Sequence, residues 1–279
     1  MKQFSVFFFL FIFLTIPIQG QDNPGGSLFI IGGGKRPPSM IKEMLKTAGL
    51  EKDDYIVVLP MATAYPEEAT RSIAEEIGAH SDTKVIGFNF IKGEAPELSR
   101  LDSLKRARLI YITGGDQNKF MEVVKDTPLH EAIKEAYFNG STIAGTSAGA
   151  AVMSKVMITG DQNTVEEYQD FKKIWFGNVV TEEGLGLLNN AIIDQHFIVR
   201  GRFNRLISVM AEFPDHIAIG IDEATAIVVK NGRAKVVGES QVVVFSKPEN
   251  LSNPDGKLVS FDNLKFSLLS PGDIFFLEE

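Results

Sequence analysis

The sequence predicts an α/β protein: a mostly parallel sheet with helices on both faces, followed by a β-rich C-terminal stretch. Three observations carry that expectation. Short, nearly continuous apolar runs alternate with helical patterns along residues 27–221, as in strands buried on both faces. Glycine-rich turns follow several of these runs, at 32–34, 113–115 and 145–149. From Thr225 onward the helical patterns stop and a hairpin signal, Asn231-Gly232, appears.

Taken in order, the apolar runs at 27–31, 55–59, 84–88, 109–112, 142–144, 191–193 and 217–221 read as strands. Helical patterns fill the gaps at 39–48, 67–79, 120–125, 129–138, 148–153 and 202–212. Beyond them, 226–230, 234–237 and 242–246 read as antiparallel strands. Residues 159–178 break the rhythm: the stretch is polar and acidic, holds the single tryptophan, Trp175, and reads as a long excursion near the 145–149 turn. Loops of that length in a compact domain are usually functional or mobile. With no internal repeat, residues 21–279 are expected to form one domain.

Residues 1–20 have the order of a secretory signal peptide: Lys2, then apolar residues from Phe4 to Ile16, then Gly20 as the small residue before a cut. Ile18 fits the small-residue rule poorly, so an uncleaved anchor is the alternative. The expected location is secreted or periplasmic. The chain has no cysteine, which excludes disulfides, a thiol nucleophile and cysteine-ligated metals. A net charge of −8 argues against nucleic acid or an anionic membrane as a bulk partner. No metal-binding motif is visible, and no cofactor is expected.

Gly145-Thr146-Ser147-Ala148-Gly149 has the form of a nucleophile elbow, in which a serine stands on a sharp turn between strand and helix. Glycine is needed on both sides because a Cβ would clash in so tight a turn. Such a serine needs a base, and the base an orienting acid. The histidines are His80, His130, His196 and His216. His80 and His130 read as surface residues and His216 as a structural turn residue. His196 ends the run 192–196, expected at the same sheet edge as Ser147, and is the best-placed base. Asp222 and Glu223 follow the strand 217–221, and one of the two should face the cleft. The order serine, histidine, acid disfavours the α/β-hydrolase fold, where the acid precedes the histidine.

Gly114-Gly115 and Gly32-Gly33-Gly34 offer backbone amides to an oxyanion or a carboxylate, or are simply tight turns. Arg200, Arg202 and Arg205 follow His196 closely and read either as a carboxylate clamp or as the solvated face of a helix.

Together, 113–117, 145–150, the run from Asp194-Gln195-His196-Phe197 to Arg205-Leu206, and 220–226 resemble the cyanophycinase family. These are serine peptidases of family S51 with a class I glutamine amidotransferase-like, flavodoxin-like architecture. The resemblance implies Ser147 as nucleophile, His196 as base and Glu223 as acid, with backbone amides of Gly115 and Ala148 at the oxyanion. It further implies that Gln117, Asp194, Gln195, Arg200, Arg202 and Arg205 line the substrate pocket. The implied substrate is cyanophycin, an aspartate backbone bearing arginine on its side-chain carboxyls, cut to β-Asp-Arg dipeptides. Its arginines would suit Glu166, Glu167, Asp170, Glu182 and Glu183, and a homodimer is a family expectation. Related aspartyl dipeptidases of the peptidase E type are the alternative, as is a protein that binds acidic peptides without cleaving them.

Overall fold

The computed structural model describes residues 24–163 and 172–277. The expected signal peptide lies outside the described residues. Five strands, β1 (Ser27–Ile31), β2 (Tyr55–Leu59), β3 (Lys84–Gly87), β4 (Leu109–Ile112) and β5 (Thr142–Thr146), run parallel in the order β1-β5-β4-β2-β3. Their apolar runs have no polar face because helices cover both sides. On one side lie α1 (Pro38–Ala48) and α2 (Pro66–Gly78), with Met40, Met44, Ile73 and Ile77 against Phe29, Ile31, Ile56, Val58 and Tyr111. On the other lie α3 (Leu98–Arg106), α4 (Gln117–Val124) and α5 (Pro128–Phe138). Leu28, Phe29, Ile30 and Ile31 are all 0% exposed. Each such side chain stabilises the fold by about 1.5–3 kcal/mol over an exposed position.

Local chemistry sets the helix limits. Proline occupies the first turn of α1, α2 and α5, where its missing N–H costs nothing. Gly49, at φ 60°, closes α1 by donating to the carbonyls of Leu45 and Lys46. Asp116 caps α4, its carboxylate accepting from the amides of Asn118 and Lys119. Helix α3 has no counterpart in the sequence reading. Its sequence, LSRLDSLKR, buries only Leu101 and Leu104, too few apolar residues for a helical period to stand out.

Beyond β5 come the short helix α6 (Ala148–Ala151) and a hairpin of β6 (Val156–Gln162) with β7 (Val179–Glu183). The acidic excursion therefore begins inside β6 and returns just before β7, with Trp175 bridging to Leu258 on the way. Gln117 holds the hairpin arm to the body, its amide donating to the carbonyls of Ile158, at 3.0 Å, and Thr159.

The next two strands correct the sequence reading. β8 (Ala191–Gln195) and β9 (Ile217–Ile221), linked by α7 (Phe203–Glu212), pair in parallel but in a second sheet, not in the first. The C-terminal β region supplies strands to both sheets. β10 (Thr225–Lys230), β11 (Arg233–Gly238) and β14 (Ile274–Phe276) add to β1 antiparallel and bring the first sheet to eight strands. β12 (Val242–Glu249) and β13 (Asn263–Leu269) complete the second sheet beside β9. Only Asp222-Glu223-Ala224 separates β9 from β10, so these three residues carry the chain from one sheet to the other. One apolar cluster holds Ile143, Ala150 and Ile227 together with Ile193, Ile219, Ile221 and Val242, which welds the two sheets side by side.

Candidate active site

Ser147 stands between β5 and α6 with φ 53° and ψ −111°. A side-chain-bearing residue in such a conformation costs about 1–3 kcal/mol, which the surroundings must offset. They do so through the Ser147 amide, which donates to Ile31 O at 3.0 Å, and its carbonyl, which accepts from Ala150 N and Ala151 N. The flanking glycines are required by contact. A Cβ on Gly145 would lie 2.2 Å from the Gly149 carbonyl oxygen, and one on Gly149 would lie 2.3 Å from that of Ile112.

His196 arrives from the end of β8, in the second sheet, itself at φ 51°. Its Nε2 lies 2.8 Å from Ser147 Oγ and its Nδ1 lies 2.6 Å from Glu223 Oε1. A carboxylate only accepts, so Nδ1 carries the proton and donates to Glu223, leaving Nε2 to accept from the serine hydroxyl. Ser147 and His196 thus come from different sheets rather than from one sheet edge, and Glu223 comes from the crossing link. Burial pushes the His196 imidazole below its ordinary value; the Glu223 hydrogen bond opposes this, and Arg200 and then Arg202 add to the depression. The ring therefore stays neutral, and able to accept a proton, to lower pH than a free histidine.

The Gly32-Gly33-Gly34 turn is the seat of this pair. The sequence offered it as an amide donor or a tight turn; its position under the base and the acid was not foreseen. Gly32 O accepts from the His196 amide at 2.7 Å. A Cβ on Gly33 would lie 2.3 Å from His196 Cε1, and one on Gly34 would lie 2.7 Å from Glu223 Oε2. Three consecutive glycines at a strand end were the available signal.

On the other side, Gly114 abuts Ser147, since a Cβ there would lie 3.4 Å from that of Ser147. Gly115, next along, has φ 137° and presses on the Ala62 carbonyl. Ala148 opens α6, so its amide is one of the first-turn donors that a helix leaves free. Of the two expected oxyanion positions, Ala148 follows the serine directly, while Gly115 is one residue beyond the glycine that abuts it.

The remaining expected residues divide. Asp194 is fully buried and paired within the protein: Arg205 Nε donates to its Oδ2 at 2.8 Å and Arg205 Nη2 to its Oδ1. Arg205 is only 4% exposed. These two bind each other instead of facing open solvent, because a buried guanidinium fork needs a carboxylate of matching geometry. Arg202 leans on the same carboxylate, 3.4 Å from Asp194 Oδ1, and donates to Gln195 O at 2.6 Å. Arg200 is exposed. Gln195 is buried beside the base, and its Oε1 has no partner among the described residues. Gln117 serves the hairpin arm as described above. Of the acids suggested for substrate arginines, Glu183 pairs with Lys125 at 3.1 Å, Glu182 is exposed, and Glu166, Glu167 and Asp170 lie outside the described residues. His130, expected to be a plain surface residue, reaches the Leu185 carbonyl at 3.1 Å. His216 stacks edge-on against Phe213.

An elbow serine bonded to an imidazole, itself bonded to a carboxylate, on an α/β sheet defines a serine-type hydrolase scaffold. A family model described as Peptidase family S51 matches residues 28–237. The chain belongs to that family and is a peptidase. It is 35% identical to the cyanophycinase of Nostoc sp. over 89% of this chain and 85% of that one. To the cyanophycinase of Geminocystis herdmanii it is 31% identical, over 88% and 92%. Among solved structures, a peptidase from an acI-B1 actinobacterium has the same fold, with a TM-score of 0.64 and 22% identity over 91% of this chain and 98% of that one.

Proposed function

We propose that the protein is an exported serine-type exopeptidase that hydrolyses cyanophycin, multi-L-arginyl-poly-L-aspartate, to β-Asp-Arg dipeptides. The observation that carries this reading is the continuous Glu223–His196–Ser147 hydrogen-bond chain, at 2.6 and 2.8 Å, in a chain whose relatives include cyanophycinases. His196 Nε2 takes the Ser147 proton as Oγ attacks the scissile carbonyl. Amides of Ala148 and Gly115 hold the oxyanion. The imidazolium, stabilised by Glu223, passes its proton to the leaving amine, and water then releases the acyl group by the same relay. Arg200, exposed beside the base, and Arg202 meet the aspartyl carboxylates. The buried Asp194–Arg205 pair holds Arg202 from beneath, and the Gln195 amide completes the pocket.

The test is purified protein on the arginine–aspartate polymer and, in parallel, on small α-aspartyl dipeptides. Release of β-Asp-Arg from the polymer, lost in Ser147→Ala, supports the reading. Cleavage of the dipeptides alone would favour the peptidase E alternative, to which a Nostoc peptidase E, 24% identical over 66% of this chain, lends a specific likeness. Binding of the polymer with no turnover and no labelling of Ser147 by a serine-reactive probe would mark a non-catalytic binder.

A further inference from the structure

We infer that Asp222 is a positioning residue, whose carboxylate ties the turn bearing His196 to the link bearing Glu223 and so sets the spacing of base and acid. Asp222 and Glu223 are adjacent, yet they face different partners. Glu223 takes the imidazole. Asp222, 8% exposed, accepts from the backbone instead: its Oδ1 receives Ile198 N at 3.0 Å and Val199 N at 2.9 Å. Its Oδ2 receives Ser240 Oγ at 2.6 Å.

The two amides lie two and three residues beyond His196, whose left-handed φ of 51° leaves it prone to relax unless the following turn is held. The turn has further anchors in Phe197 N to Ile221 O, 3.2 Å, and Arg200 N to His196 O, 3.1 Å. The crossing link is gripped from both sides. Ala224 N donates to Gly33 O at 3.0 Å, while Glu239 N donates to Ala224 O at 2.9 Å and Ser240 N to Thr225 Oγ1 at 2.8 Å. One carboxylate at the junction thus cross-links the base turn, the acid link and the turn between β11 and β12. A shift of the base by even 1 Å relative to acid and nucleophile costs on the order of 100-fold in rate, so this spacing is what the reaction depends on.

The inference rests on Ser147–His196–Glu223 being the catalytic relay, and the test is chosen to read the relay without the natural substrate. Asparagine at 222 keeps a carbonyl oxygen for the two amides and presents its NH2 to Ser240 Oγ, which can accept. Alanine keeps neither. The rate of Ser147 labelling by a fluorophosphonate, the kcat and KM on whichever substrate is cleaved, and the downfield proton resonance of His196 Nδ1–H should separate the variants. Asp222→Asn is expected within about threefold of the parent in labelling and kcat, with the resonance retained. Asp222→Ala is expected to lose about 100-fold in both with KM little changed, and to lose or shift the resonance, as for a base displaced by roughly 1 Å.

A folded Asp222→Ala protein with parental labelling and resonance would overturn the inference, as would an Asp222→Asn protein as slow as Asp222→Ala. Should Asp222→Ala fail to fold, Ser240→Ala removes one of the three anchors. It is expected to slow labelling several-fold at unchanged KM, and the Ser240→Ala/Asp222→Asn double variant further; parental rates in both would overturn the inference equally. Failure of the parent itself to label at Ser147 would instead strike the catalytic reading on which the inference rests.

Discussion

Replacing Gly33 by alanine should disable His196 without substituting Ser147, His196 or Glu223. The new Cβ would sit 2.3 Å from His196 Cε1, 2.6 Å from Nε2 and 2.8 Å from Nδ1. Ordinary contact begins near 3.4 Å, so the ring must recede by roughly 1 Å. It has little room to do so, being buried and bonded at both nitrogens, at 2.8 Å to Ser147 and 2.6 Å to Glu223. The displacement must come out of those two bonds, and a misplacement of about 1 Å at a reacting group costs on the order of 100-fold in kcat. Gly33 also has φ 115°, a region L residues rarely enter, so about 1–3 kcal/mol of stability should be lost as well.

Gly232→Ala is the control. Gly232 has φ 71°, in the turn between β10 and β11, with nothing among the described residues within 4 Å of an added Cβ. It should lose stability by strain yet keep full turnover. Steady-state kinetics, the rate of Ser147 labelling and urea melts on both variants form the assay. Full activity in a folded Gly33→Ala protein would refute the claim that this turn seats the imidazole.

Ser147→Ala and His196→Ala should each abolish all but about 0.1% or less of kcat, and the double variant should be little worse, because relay members act as a unit; additive losses would contradict this. Glu223→Gln should be nearly as severe. The acid limb of kcat/KM should have its midpoint below the ordinary imidazole value, because burial, Arg200 and Arg202 disfavour the protonated ring and catalysis needs the neutral one. Arg200→Met removes one repelling charge, favours protonation and should move that limb to higher pH; an unmoved limb would show that Arg200 does not act on the base. Asp194→Ala should cost about 3–5 kcal/mol in urea unfolding, since it leaves the buried Arg205 guanidinium uncompensated; a loss confined to KM would make Asp194 a substrate contact instead. Protein secreted by a Gram-negative host should begin near Gln21 by intact mass; an unprocessed chain held in the membrane would mark residues 1–20 as an anchor.

Much of the fold was legible in the residues because burial leaves a local imprint. The runs 27–31, 55–59, 109–112 and 217–221 coincide with observed strands, since a strand covered on both faces is mostly apolar on both. The elbow was legible for a steric reason, as Gly145 and Gly149 each face a carbonyl oxygen that leaves no room for a Cβ. The four histidines and the missing cysteine narrowed the chemistry before any geometry was known.

Pairing between distant segments has no such imprint, and there the tertiary structure decided. An apolar run reports that 191–195 and 217–221 are buried strands but not which sheet they join, and they joined the second. Alternation along a strand could not divide the work of Asp222 and Glu223, because both lie on the link beyond the strand, where the crossing between sheets sets each side chain's direction. The Gly32–Gly34 turn and the Asp194–Arg205 pair are likewise contacts between elements far apart in the chain. What the sequence determined by itself was which segments are buried and which turns are held by glycines. How two sheets meet, so that a serine from one touches a histidine from the other, was settled only by the packing of the whole chain.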